Sequence, residues 1–460
     1  MKAIIAATIL GVIMMFSSIL MKDKKAIVTV AALLLAVLLG VNIWDVIATK
    51  KGSNFTFLFN NMILISREGL WFNMLMTGCT FLYVLLSGKD IARVGTHTAE
   101  YFALLFFILC GVYLLSSYNN LLILFIGIEI LSIPQYILAG SDKKNLKSSE
   151  AALKYFLMGA FTTGILMMGV TLLYGSTGTF ELTRMDFVHQ SSVNGMSLAG
   201  ILFLIIAFGF KVSAAPMHTW TPDVYDGAPT PFTAFMATIV KSAAFYAFIR
   251  LFQNTFGGIS NHWVIVLSII TALTLLVGNL TAVFQQSVKR MLAYSSIAQA
   301  GFMLFAILSN NAIASQGIII YAVAYSVATI GMFAVLMKLK DYTYDGFNGL
   351  AKKEPVLAFV TTIFLLSLAG IPLTGGFMAK YFVLQAAIMQ GQLFWLVIFA
   401  LLMAAISAYY YFRVIIAMYF KQGNPELHQP LSTTDKFMLV LTCVLVLLIG
   451  IAPQLFLTSI

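Results

Sequence analysis

Charged residues are scarce in this chain of 460 residues. Asp, Glu, Lys and Arg together make up 10% of the sequence, whereas a soluble globular protein carries about 25%. Hydrophobic residues make up 60%, and the mean hydropathy is +0.95. Apolar runs of about 20 residues, which are long enough to cross a bilayer as helices, recur along the chain. The composition therefore excludes a soluble protein and indicates an integral membrane protein.

Cysteine and histidine, the common ligands of redox metals, are also few. The three cysteines, Cys79, Cys110 and Cys443, lie singly in apolar segments without the spacing of a metal or iron–sulfur site. Of the five histidines, only His218 lies in a core segment. The glycine pairs lack the fingerprint of a nucleotide site. We therefore expect no redox centre, metal or nucleotide in this chain.

The net charge of +10 reflects membrane topology and not nucleic-acid binding. Lys and Arg lie mostly in short loops after odd-numbered apolar runs, so these loops are predicted to face the cytoplasm and both termini the outer, periplasmic side. The first apolar run, 3–20, precedes its basic patch, which is the reverse of a secretory signal. We expect a retained first helix and, without a transit segment, a bacterial plasma membrane.

The apolar runs predict an all-α membrane protein with about fourteen transmembrane helices. The stretch from Lys50 to Arg67 is predicted to be the longest loop. The predicted spans are 3–20, 26–48, 69–87, 100–116, 119–140, 150–174, 197–222, 228–253, 261–284, 290–308, 312–338, 355–390, 393–420 and 434–456.

Five basic residues that are not assigned to loops or span ends, and one glutamate deep in a helix, lie inside these spans, where each charge costs about 2.5–3.5 kcal/mol or more at the bilayer centre. They must therefore face one another or water inside the helix bundle. The six are Glu129, Lys154, Lys211, Lys241, Lys380 and Arg413.

Static ion pairing is a reasonable alternative for two of the six. Lys154 follows Glu150 by one helical turn, and Arg413 is near a helix end. The other three lysines cannot all be neutralised by Glu129. Removal from water disfavours the charged form of lysine, so a buried lysine can both gain and release a proton near neutral pH, and these residues are predicted to titrate during function.

Two spans join a proline inside the helix to a nearby lysine. Helix seven contains Lys211 and Pro216, and helix twelve contains Pro372 and Lys380. Proline breaks a helix, and paired breaks in two halves are typical of transporters, although ordinary kinks are the alternative. The odd offset of five helices predicts two inverted repeats, helices 4–8 and 9–13. The predicted division is 1–99, 100–253, 261–420 and 434–460.

Several long motifs resemble the proton-translocating antiporter-like family of membrane subunits. Segments 127–134, 208–211 and 288–301 carry the general resemblance. Segments 149–156, 173–178 and 221–235 resemble the subunit N group of NADH:quinone oxidoreductase, complex I. The likeness extends over about residues 100–420.

The resemblance implies a buried proton relay coupled to quinone reduction in neighbouring subunits. Glu129 and Lys211 would form a pair in which the glutamate modulates the proton affinity of the lysine. Lys241 would be the central relay, with His218 on the route. Lys380 would lie at the outward half-channel, and Lys154 would assist the first half-channel.

The family also implies partners and leaves alternatives open. The partners would be other complex I membrane subunits, and NADH, FMN, iron–sulfur clusters and quinone would be bound in partner subunits. Gln299 occupies a position where many relatives have histidine, so no proton-carrying role is assigned to it. A subunit of a multi-subunit cation/proton antiporter and a static membrane anchor remain the alternatives.

Overall fold

The computed structural model describes residues 2–49, 55–185, 187 and 194–457, which are mostly helical. The main helices are α1 (Lys2–Leu20), α2 (Lys24–Ala48), α3 (Arg67–Val94), α4 (Thr98–Ser117), α5 (Leu121–Ala139), α6 (Leu146–Thr177), α7a (Gly195–Lys211), α7b (Trp220–Gly227), α8 (Thr230–Asn254), α9 (Val264–Val283), α10 (Val288–Ser309), α11 (Ala312–Leu336), α12a (Pro355–Ala369), α12b (Gly375–Met389), α13 (Phe394–Phe420) and α14 (Thr433–Ile451).

Twelve helices of the described chain are long and apolar enough to cross a membrane. Two shorter apolar helices, α7a and α12a, belong to the interrupted seventh and twelfth spans. Every predicted span thus has a helical counterpart, and the all-α membrane fold is confirmed. The exact number of crossings and the division into repeats stay predictions.

Helix ends follow local sequence. Asn145 and Ser287 cap the first turns of α6 and α10, because their side-chain oxygens accept backbone N–H bonds. Gly178 ends α6 in the left-handed conformation, with φ of 69°, which glycine adopts without a Cβ clash.

Both predicted breaks are present in the structure. Helix seven is interrupted between α7a and α7b, and helix twelve between α12a and α12b. In the second break, Gly370 and Leu373 have positive φ angles of 87° and 72°, so the chain leaves helical geometry around Pro372. A π-turn, Met236–Val240, also interrupts α8 directly before Lys241, and the sequence patterns did not indicate it.

The centre of the bundle is formed by α8, α10 and α11. The hydrophobic windows of α8 and α11 are entirely buried inside the chain, whereas less than half of the α1, α2 and α14 windows is buried. The outer helices therefore present much of the exposed apolar surface, and the central helices pack almost entirely against other parts of the chain.

Two local features differ from the predictions. Part of the loop before Arg67 forms an antiparallel hairpin, β1 (Phe55–Leu58) and β2 (Ile63–Ser66), whereas Lys50 lies outside the described residues. Arg93, which lies beyond the predicted span 69–87 and was therefore expected in a loop, lies in the last turn of α3. Within this added part of the helix, Arg93 binds Asp90 with an N–O distance of 3.1 Å.

Candidate functional site

Lys211 is the last residue of α7a, and its side chain crosses to α5. Its Nζ donates to Ser132 Oγ at 2.8 Å and lies 3.5 Å from Tyr136 OH. The break after Lys211 ends the helix at this point, so the amine is positioned where the backbone turns away. Lys211 therefore contacts neutral hydroxyl oxygens.

Glu129 lies one turn before Ser132 on α5, yet it makes no ion pair with Lys211 among the described residues. Its Oε1 accepts a hydrogen bond from Thr163 Oγ1 at 2.8 Å. The expected glutamate–lysine pair is thus not in direct contact, and Lys211 instead binds Ser132, one turn after Glu129 on α5. The two charges of the pair act on each other through space.

Lys241 follows the π-turn of α8 and is 1% exposed. Its Nζ donates to the backbone oxygen of Ser296 at 3.1 Å and to Ser296 Oγ at 3.0 Å, both on α10. The Tyr225 ring of α7b lies 5.7 Å from the amine, a distance at which a cation is attracted to the ring face.

Lys380 in α12b reaches back across its own helix break. Its Nζ donates to the carbonyl oxygens of Leu368 at 3.1 Å and Ala369 at 2.8 Å, the last two residues of α12a. The Phe302 ring centroid of α10 lies 4.7 Å from the amine. The break therefore supplies the polar atoms that bind this lysine.

The three lysines share one chemical environment. Among the described residues, none of their amines is within ion-pair distance of a carboxylate. Each is bound by hydroxyl or carbonyl oxygens, and a buried lysine with such partners can exist charged or neutral. The arrangement can therefore store and release protons, which a lysine in a tight carboxylate pair does less readily.

A cavity of about 630 Å³ opens beside the α7b–α8 junction. Asp90, Asp226, Thr230 and Lys289 are among its lining residues. Lys289 Nζ donates to the carbonyl oxygens of Asp226 at 2.8 Å and Ala228 at 2.7 Å, so it holds the junction together. This charged vestibule brings solvent close to the beginning of α8, the helix that carries the central lysine.

Comparison with known proteins decides the family. The family described as "NADH:quinone oxidoreductase/Mrp antiporter, TM" matches residues 118–407. NADH-quinone oxidoreductase subunit N of Cytophaga hutchinsonii is 38% identical over 464 residues, covering 99% of this chain and 99% of the relative. The chain belongs to the subunit N family. The subunit N of Flavobacterium psychrophilum is 35% identical, again over 99% of both chains.

Solved structures agree with the subunit N family. A chain of respiratory complex I from Thermus thermophilus with bound Aureothin has a TM-score of 0.85 and 30% identity, over 99% of this chain and 98% of that chain. A chain of the Mrp complex from Dietzia sp. DQ12-45-1b has the same TM-score at 19% identity, covering 100% of this chain and 96% of that one. The second likeness shows the fold alone.

The two remaining relay candidates of this subunit N chain, His218 and Lys154, have different surroundings. His218 lies in the connection between α7a and α7b, and its buried Nδ1 has no hydrogen-bond partner among the described residues. Lys154 Nζ is half-exposed and binds Glu150 at 2.8 Å and Asp223 at 2.9 Å, and Asp223 also binds Arg290 at 3.0 Å. Lys154 is therefore part of an ion network between α6, α7b and α10, apart from the buried amines.

Arg413 in α13 binds the segment that follows α9. Its guanidinium donates to the carbonyl oxygen of Gln285 at 3.2 Å and to the side-chain oxygen of Gln286 at 3.1 Å. Arg413 thus satisfies polar groups just beyond the end of α9.

Sequence reasoning missed the residues that bind the lysines. The direct partners include Ser132, Ser296 and the carbonyls of Leu368 and Ala369, and Gln299 also donates to the Leu368 carbonyl. Ser132, Ser296 and Gln299 lie inside the motifs that carried the family resemblance. Their spacing from the lysines was not readable because the contacts join distant helices.

Proposed function

We propose that this chain is a proton-translocating membrane subunit of an NADH:quinone oxidoreductase. Protons would move along Glu129, Lys211, Lys241 and Lys380, driven by quinone reduction in neighbouring subunits. The observation that supports this proposal most directly is the set of three buried lysine amines bound by neutral oxygens. Membership of the subunit N family supports the assembly with other complex I membrane subunits.

In this proposal, the charged vestibule takes up protons on the side that loop charges predict to be cytoplasmic, and Lys380 releases them toward the outer side. Lys154 and His218 would assist near the α7 break. The chain itself supplies binding sites for protons, and the described residues contain no group that could hold a metal. NADH, FMN, iron–sulfur clusters and quinone would be bound by partner subunits.

The antiporter alternative is less well supported than the complex I proposal. The Mrp chain shares 19% identity with this chain, whereas subunit N relatives share up to 40% among those compared. Partner identity discriminates the two functions. A native gel of gently solubilised membranes, stained for NADH dehydrogenase activity, should show the chain in the active band. Migration in a smaller, NADH-inactive complex would favour the antiporter.

The relay itself is tested at Lys241. Lys241→Met preserves side-chain length but removes the titrating amine, and Lys241→Arg preserves the charge but cannot release a proton. We expect both variants to assemble and to lose most NADH-driven acidification of inside-out vesicles. Lys143→Met, at an exposed loop position, is the matched control. Normal pumping by Lys241→Met, or impaired assembly without a pumping defect, would favour the static-anchor alternative.

A further inference from the structure

The carbonyl of Leu368 lacks its helical hydrogen bond because the residue four positions later is Pro372. Proline has no backbone N–H, so the end of α12a leaves this oxygen open. Two side chains donate to it instead. Lys380 Nζ lies 3.1 Å from the oxygen, and Gln299 Nε2 lies 2.8 Å from it.

Gln299 is held firmly in this position. It is 4% exposed, and its Oε1 accepts a hydrogen bond from Tyr321 OH. Its Nε2 also lies 3.4 Å from Tyr411 OH, which shares a hydrogen bond of 2.5 Å with Ser295 Oγ. Both polar atoms of the amide are thus used, and a primary amide neither gains nor releases a proton in this role.

Gln299 also lies one turn after Ser296 on the same face of α10. Ser296 binds Lys241, and Gln299 shares an oxygen with Lys380. One face of a single buried helix therefore contacts the immediate surroundings of both lysines. A change in the hydrogen bonds of one lysine can be transmitted to the other along this face.

We propose that Gln299 is a positioning residue that keeps the Leu368 carbonyl hydrogen-bonded while the Lys380 amine moves away from the α12 break. This inference rests on the proposed relay role of Lys380. When the amine leaves to transfer its proton, a buried carbonyl without a donor would oppose the movement. The amide of Gln299 removes that opposition, because it remains bound to the oxygen throughout.

The test uses the assembled complex in inside-out vesicles and measures protons pumped per NADH oxidised. Gln299→Met has a similar length but no donor, and we expect a reduced ratio. Gln299→His restores an N–H donor and should recover most of the wild-type ratio. NADH oxidation with an uncoupler present should be unchanged in both, which a general structural defect would not allow. Gln392→Met, at an exposed loop position, is the control.

Two results would overturn the inference. One is wild-type pumping by Gln299→Met, and the other is a Gln299→His variant that pumps as poorly as Gln299→Met. Lys380→Met is measured in parallel to separate this inference from the proposed function. If Lys380→Met pumps normally, the relay proposal fails. If Lys380→Met loses pumping and Gln299→Met does not, the relay stands and only the role of Gln299 is refuted.

Discussion

Asp90 and Lys338 form an ion pair in which the two residues have different numbers of oppositely charged partners, and this difference predicts how each substitution changes stability. Lys338 Nζ lies 3.0 Å from Asp90 Oδ2, and Arg93 lies 3.1 Å from Asp90 Oδ1. The Lys338 and Asp90 side chains are 11% and 6% exposed, whereas that of Arg93 is 43% exposed. Within ion-pair distance among the described residues, Asp90 thus has two cationic partners and Lys338 has one anionic partner, while Asp435 acts on Lys338 from farther away.

The loss of stability should therefore depend on which partner is removed. Asp90→Leu leaves the largely buried ammonium of Lys338 without an anion in direct contact, which costs up to about 3–5 kcal/mol. Lys338→Met removes one charge-assisted hydrogen bond while Arg93 still pairs with Asp90, at a cost of about 1.5–3 kcal/mol. The double variant replaces the pair by apolar side chains and should be closer to wild type than Asp90→Leu, because no unpaired lysine remains.

The measurement is the fraction of the chain that stays extractable and monodisperse after native membranes are heated through a temperature series. We expect the midpoint to fall most for Asp90→Leu, less for Lys338→Met, and to recover in the double variant. Equal effects of the two single variants would contradict the stabilising role assigned to Arg93. Additive losses in the double variant would show that Asp90 and Lys338 do not act as a pair.

Two further predictions concern a close approach of helices and the surface ion network. A Cβ at Gly376 would lie 1.8 Å from the backbone oxygen of Ser367. Gly376→Ala should therefore force α12a and α12b apart and lower the stability by about 1–3 kcal/mol or more. Gly164 has open space around it, so Gly164→Ala should be close to neutral in the same heating assay. Burial raises the pKa of Asp223, but hydrogen bonds from its two cationic partners outweigh burial and hold the pKa below its ordinary value. The stability from this network should then be complete at neutral pH and be lost only as pH falls below about 4, and Asp223→Asn should remove this acid-dependent component.

The sequence predicted the parts of the fold that depend on composition along the chain. Long apolar runs located the helices, and Pro216 and Pro372 located the two breaks. The hairpin before α3 and the π-turn before Lys241 were not predicted. Neither depends on a strong local pattern, because pairing and packing with distant residues stabilise them.

The lysines of the candidate site were predictable from the sequence because a charged residue in a membrane span has a high energetic cost. A lysine in an apolar run is expensive, so Lys211, Lys241 and Lys380 were recognisable without coordinates. Their partners were not, because serine hydroxyls and backbone carbonyls are common throughout the chain. For Lys154, the contact with Glu150 follows from their spacing of one helical turn, whereas the contact with Asp223 was not predicted because it joins α6 to α7b.

Two deeply buried lysines, Lys241 and Lys380, differ in whether their hydrogen-bond partners are synthesised after or before them. Lys241 is bound by Ser296, which follows it by 55 residues, whereas Lys380 is bound by a carbonyl made 12 residues earlier. At about 5–20 residues per second, Lys241 is incorporated about 3–11 seconds before Ser296 is. The α8 segment must therefore remain near the insertion machinery, or in contact with earlier helices, until α10 arrives, whereas α12b can enter the membrane with its lysine already bound.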